Sequence, residues 1–90
     1  MKDIDKQLCE AAENGNLEEV KLLLKNGANV HADNDYAIRW AAYFGHLDVV
    51  KLLLENGADV HACDDWALRF AAQNGHTEVV ELLKKYMEAK

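Results

Sequence analysis

The sequence is short of positive charge. Ten lysines and arginines stand against sixteen aspartates and glutamates, giving a formal net charge of −6 and a pI near 5.0. Nucleic acid draws a basic patch, and so does an anionic membrane surface, so neither is expected as a partner. Long apolar runs are missing as well. No stretch approaches the roughly 20 residues that span a bilayer. The opening Met1-Lys2-Asp3-Ile4-Asp5 lacks the apolar segment of a secretory signal. The two cysteines, Cys9 and Cys63, offer no disulfide framework, and free thiols in an acidic chain fit a reducing, intracellular and cytoplasmic setting. There is no glycine-rich phosphate loop and no nucleophile with a recognisable activating partner, so no enzyme is expected.

Glycine is scarce too, but its placement is informative. Gly15, Gly45 and Gly75, together with Val20, Val50 and Val80, set a period of 30 residues. The segment Gly45-His46-Leu47-Asp48-Val49-Val50-Lys51-Leu52-Leu53-Leu54 has a near copy starting at Gly15 and a third starting at Gly75. A fixed period in this range marks a stacked repeat architecture. Each unit then buries its apolar face only against its neighbours, which lets a short chain hold a core.

The first unit opens with a helix over 3–14, whose apolar stripe is Ile4, Leu8, Ala11 and Ala12. Asp3 or Asp5 is placed to cap its N-terminus, and Gly15 supplies a left-handed stop. Asn16 caps a second helix from Leu17 to about Asn26, with Glu18 and Glu19 where the helix dipole favours anions. Gly27 ends it. Residues 28–34 read as an extended connection with a turn at Asp33-Asn34. In the second unit Asp35 is placed to cap a helix over 36–44 closed by Gly45; the third repeats this from Asp65 to Gly75. The left-handed stop at Gly45 predicts that valine there costs more than about 1 kcal/mol. The pairs Ala11-Ala12, Ala41-Ala42 and Ala71-Ala72 let helices approach to roughly 8–10 Å.

The expected organisation is one domain over 1–90, with repeats at about 3–32, 33–62 and 63–90. Glu10 stands where the later units have Trp40 and Phe70, and Lys84 stands where the second unit has Leu54. Terminal repeats need a polar outer face, so the chain reads as two caps around one internal unit.

The pattern Ala-Ala-x-x-Gly-His-Leu-x-Val-Val-x-Leu-Leu-Leu-x-x-Gly-Ala-x-Val-x-Ala resembles the ankyrin repeat. That resemblance implies an all-α solenoid of three helix-turn-helix units with short turns. The usual repeat is about 33 residues. Here the turns between Ala32 and Tyr36 and between Ala62 and Trp66 are shortened, and the usual Thr-Pro-Leu-His opening is replaced by Tyr36-Ala37-Ile38-Arg39 and Trp66-Ala67-Leu68-Arg69. The shortened form resembles the ankyrin repeats abundant in giant DNA viruses, and the N-terminal unit resembles consensus-designed ankyrin proteins. Any projecting turns should be stubby.

The resemblance implies a protein-protein interaction module that binds through its turns and the concave face of its first helices. The positions varied in designed members correspond here to Asp33, Asn34 and Tyr36 in one turn and Cys63, Asp64 and Trp66 in the next. They also correspond to Tyr43, Phe44, Gln73 and Asn74 on the first helices. This mixed aromatic and acidic row suits a protein partner with apolar anchors and a basic rim. The alternative is an engineered or consensus-like scaffold with no dedicated partner, monomeric or weakly self-associating.

Each of these residues also has a structural reading. Trp40 and Phe70 are expected in the packing between repeats, and Tyr36 and Trp66 against the neighbouring turn. Tyr43-Phe44 is the sharper signal, because Glu13-Asn14 and Gln73-Asn74 are polar at the matching positions. Arg39 and Arg69 are expected to pair with Asp35, Asp65 or turn carbonyls rather than to clamp an anion. His31, His46, His61 and His76 fall in two columns one repeat apart. They are expected to tie turns together by side-chain bonds to backbone, not to bind a metal. No cofactor is expected.

Overall fold

A computed structural model describes residues 1–88 as six helices. These are α1 (Asp3–Asn14), α2 (Leu17–Lys25), α3 (Ala32–Tyr43), α4 (Leu47–Glu55), α5 (Ala62–Gln73) and α6 (Thr77–Glu88), with no strand among the described residues. Positions 89 and 90 of the third expected repeat lie outside the described residues. None of the helices is long and apolar enough to cross a membrane.

The all-α reading holds. Helices pair in sequence order, α1 with α2, α3 with α4 and α5 with α6, and the pairs stack. In the first layer α1, α3 and α5 lie against one another over much of their length, whereas α2, α4 and α6 touch at few points. A stack held closer on one side bends toward it, so the first layer lines the concave face. Small buried side chains permit the close approach: Ala11, Ala12, Ala41, Ala42 and Ala71 are all shut off from solvent. Behind them Leu8, Val20, Ile38, Val50, Leu53 and Leu83 form the fully buried centre of the core.

Glycines close the first-layer helices as the sequence predicts. Gly15 has φ 74° and Gly45 φ 77°, and the N–H groups that follow turn back onto the helix, Asn16 N–H to the Ala11 carbonyl at 2.9 Å and His46 N–H to that of Ala41 at 2.9 Å. Asn16 also caps α2, accepting the Glu19 N–H at 3.2 Å.

The aspartate caps do not form. Lys2 stands at the start of α1 without a side-chain cap bond. Asp5 is instead buried, and its carboxylate accepts the Asn29 N–H at 2.8 Å. Asp35 likewise turns inward, accepting the Asp59 N–H at 2.8 Å and the His31 Nδ1–H at 3.0 Å. The stretches after α2 and α4 have no ladder partner, so their N–H groups need an acceptor from elsewhere. These carboxylates supply it.

The shortened turns also differ from the extended form expected. Asp33, Asn34 and Asp35 all sit in the left-handed region at φ 55°, 56° and 58°, and Cys63, Asp64 and Asp65 repeat this at φ 56°, 58° and 60°. Three residues must carry the chain from Ala32 to Tyr36, and a left-handed turn does so compactly. Left-handed backbone costs L-residues about 1–2 kcal/mol each, least for Asn and Asp, and five of the six residues are of those two types. The arginines offset the strain. Arg39 donates to the carbonyls of Asn34 at 2.9 Å and Asp33 at 3.1 Å; Arg69 donates to those of Asp64 at 3.0 Å and Cys63 at 3.4 Å. Of the two expected partners, turn carbonyl and carboxylate, the carbonyls take both arginines.

Two of the four expected histidine ties to backbone are present. The imidazole of His46 reaches the Glu13 carbonyl at 2.9 Å and that of His76 the Tyr43 carbonyl at 3.0 Å, each crossing to the preceding first-layer helix. A carbonyl only accepts, so Nε2 carries the proton in both. His31 and His61 bond instead to carboxylates, those of Asp35 and Asp65. Not every position at the first unit is polar, since Leu22 is 56% exposed.

Candidate functional site

On α3 the residues 37, 38, 41 and 42 face the core. Helical spacing therefore sends Tyr36, Trp40, Tyr43 and Phe44 to the opposite side. On α5 the same geometry presents Trp66 and Phe70. These six rings form one network on the concave face. It contains every tryptophan and phenylalanine of the chain and two of its three tyrosines.

The contacts run along and across helices. Ring centroids lie 5.7 Å apart for Tyr36–Trp40, 5.0 Å for Trp40–Tyr43 and 5.0 Å for Tyr43–Phe44 on α3. Trp66 and Phe70 on α5 are 4.3 Å apart. Between the helices, Trp40 meets Trp66 at 5.1 Å and Tyr43 meets Phe70 at 5.9 Å. Tilted and edge-on pairs at these distances are each worth about 0.5–1.5 kcal/mol beyond burial. The network is thus ordered before anything binds to it.

Trp40 and Phe70 depart from the core packing expected of them. They do stack between repeats, but both rings are half-buried and neither belongs to the apolar core. The i, i+4 series 36, 40, 44 and 66, 70 was the signal that could have placed them, read as the face opposite the alanines.

The other expected positions are spread along the same face. Asp33, Asn34, Cys63 and Asp64 are exposed at the two left-handed turns. Tyr36, Tyr43 and Trp66 are half-buried in the network, and Phe44 is its most open member, at 47% exposure. Gln73 and Asn74 are exposed at the end of α5, where the Asn74 amide donates to the Tyr43 carbonyl at 3.1 Å. Arg39 lies 5.2 Å from the Trp66 ring centre and 5.8 Å from that of Tyr36, and Arg69 lies 5.7 Å from that of Phe70. Both guanidiniums lie within cation–π range while they hold the turns.

Two groups on this side have displaced acidities. Burial, reinforced by the nearby Asp33 and Asp5 carboxylates, pushes the Cys9 thiol up to about 11. Cys63 is exposed, and neither cysteine is bonded to another. The Tyr36 hydroxyl donates to the Glu13 carboxylate, and this bond, aided by burial, pushes the phenol up from 10.0 to about 12. The fold therefore holds the neutral phenol. Its contribution to stability is complete below pH 10 and is lost as pH rises through about 12. An ultraviolet titration of phenolate is expected to show a tyrosine ionising near pH 12, absent from Tyr36→Phe. Persistence of that step in Tyr36→Phe refutes the assignment.

Among the described residues no group of three or more histidine, cysteine or acidic side chains could hold a metal. A family model described as ankyrin repeats, in three copies, matches residues 8–90. A comparison with curated proteins finds no match.

Proposed function

The chain belongs to the ankyrin-repeat family, and from that premise we propose that it binds a protein partner through the concave face of α1, α3 and α5. Ankyrin repeats are generally protein-protein interaction modules and typically non-catalytic. The observation that carries the reading is the aromatic network, six rings that lie outside the core on an open face. Tyr36, Trp40, Tyr43, Phe44, Trp66 and Phe70 form its contact surface. Asp33, Asn34, Cys63 and Asp64 form the rim at the turns, with Gln73 and Asn74 at the far edge. Large rigid aromatics contribute contact area at low entropic cost and dominate binding energies where they are found. The three repeats act as one binding domain, monomeric or weakly dimeric, with no nucleic acid or membrane partner. The free thiols support a reducing compartment. No catalytic step is proposed.

Both tryptophans of the chain lie in the proposed surface, so intrinsic fluorescence reports on it directly. Light scattering over a wide concentration range, with the wild type and a Tyr43→Glu/Phe44→Lys variant, first separates self-association from capture of a foreign chain. Binders selected from a displayed library are then expected to change the tryptophan emission. They should lose about 30-fold or more in affinity on Trp40→Ala or Tyr43→Ala, the size of a hot-spot residue, and little on Glu55→Ala in α4. Binders that respond to Glu55→Ala and ignore the aromatic changes overturn the reading.

A further inference from the structure

We propose that the notch between the end of α1 and the end of α3 receives an arginine side chain of the protein partner, an inference that rests on the concave face being the binding face. Glu13, Asn14, Phe44 and His46 line this notch. Phe44 supplies an open aromatic wall, at 47% exposure, with the His46 ring 6.1 Å from it, centre to centre. Glu13 supplies the negative charge. Its carboxylate is oriented by the Tyr36 hydroxyl, and its backbone carbonyl is held by His46. An aromatic wall and an acidic residue lining one notch make the pairing that a flat, forked guanidinium satisfies best, by stacking on one and donating to the other.

Two comparisons within the molecule single this notch out. The first is with the equivalent place one repeat later. There Tyr43 stands for Glu13 and Asn74 for Phe44, and the Asn74 amide is already bonded to the Tyr43 carbonyl. The fold alone therefore does not require a carboxylate beside an open ring. The second is with the other rings of the face. Arg39 lies within range of Tyr36 and Trp66, and Arg69 of Phe70, so the protein's own guanidiniums already occupy those places, while Trp40 and Tyr43 are each packed among four other rings. Among the described residues, no lysine or arginine lies over Phe44. The net charge of −6 draws a cationic side chain toward the protein. It disfavours a second copy of the same chain as the occupant.

The test is an amide-shift titration of the whole chain by nuclear magnetic resonance. The probe is an acetylated Gly-Gly-Arg-Gly-Gly peptide amide, compared with its citrulline counterpart, which keeps the shape and loses the charge. Saturable shifts are expected at Glu13, Asn14, Phe44, Gly45 and His46, with the citrulline peptide weaker. Phe44→Leu keeps the apolar bulk and removes the ring, and it should weaken the arginine peptide by about two- to fivefold. Phe44→Trp should restore or strengthen binding. Glu13→Gln, which can still accept from Tyr36, should reduce the preference for arginine over citrulline. The proposal is overturned by equal binding of the two peptides, by shifts scattered over Asp48 and Glu78 on the second layer, or by indifference to Phe44→Leu. Shifts at Phe44 that follow protein concentration instead of peptide overturn it in favour of a dimer. If library binders depend on Trp40 and Tyr43 yet place no arginine on Phe44, this proposal fails while the wider binding face stands.

Discussion

Gly45→Ala is expected to destabilise the protein by about 2–5 kcal/mol, clearly more than Gly75→Ala at about 1–2 kcal/mol. The two glycines have the same backbone conformation, φ 77° and 76°, so alanine meets the same left-handed penalty at both. Their surroundings differ. A Cβ at Gly45 would lie 2.6 Å from the His76 Nδ1, 2.7 Å from its Cε1 and 2.8 Å from its Cγ, whereas a Cβ at Gly75 would meet nothing within 4 Å. The imidazole of His76 must therefore move. Moving it stretches or breaks the 3.0 Å bond to the Tyr43 carbonyl that ties the third helical pair to the second. Urea denaturation of the two variants measures the difference, and the double variant Gly45→Ala/His76→Ala tests its cause. With the ring gone, the excess cost of Gly45→Ala should shrink toward that of Gly75→Ala. Equal costs in the single variants would show that the ring yields freely and that the glycine answers only a backbone need.

The second large effect lies in the core. Leu53→Ala is expected to cost about 3–5 kcal/mol, a large part of the roughly 5–15 kcal/mol that holds a domain of this size together. Leu53 is fully buried on α4, which has a second-layer neighbour on each side, α2 and α6. A cavity there is enclosed and cannot easily collapse. Leu23 and Leu83 hold the equivalent places in α2 and α6, where α4 is the second-layer neighbour. Leu83 is also fully buried, but Leu23 retains 7% exposure. The expected order of cost is Leu53, then Leu83, then Leu23, with Leu23→Ala at about 2–3 kcal/mol. In thermal unfolding Leu53→Ala should lower the midpoint by more than about 10 °C. A Leu23→Ala variant at least as damaging as Leu53→Ala would refute the argument from enclosure.

Much of this molecule can be read from its residues in order. The 30-residue period, the helix spans and the left-handed glycines follow from local chemistry, because helical periodicity and the lack of a Cβ act within a few residues. The Asn16 cap belongs to the same class, reaching only to Glu19. For His46 and His76, bonding to backbone is legible for a related reason: a polar ring recurring in register beside a helix end needs a partner, and the preceding helix end provides a carbonyl; His31 and His61 take carboxylates instead.

Other features depend on groups far apart in sequence. Asp5 and Asp35 look like helix caps by position, yet each finds its acceptor role 24 residues away, at Asn29 and Asp59. The unpaired N–H groups that claim them are visible only once the helical pairs are stacked. The left-handed turns at 33–35 and 63–65 escape the sequence for a different reason: isolated L-residues avoid that conformation. The turns persist because Arg39 and Arg69, on the helices that follow, hold their carbonyls. Trp40 and Phe70 show the limit most plainly. Their hydrophobicity points to the core, but they stand on the helix face opposite the buried alanines, where rings from two helices meet. Sequence alone determined the repeat, the helices and their stops, which are local. Only the tertiary structure decided that the rings of two helices meet in one network and that Glu13 shares a notch with Phe44, because both depend on one repeat lying against the next.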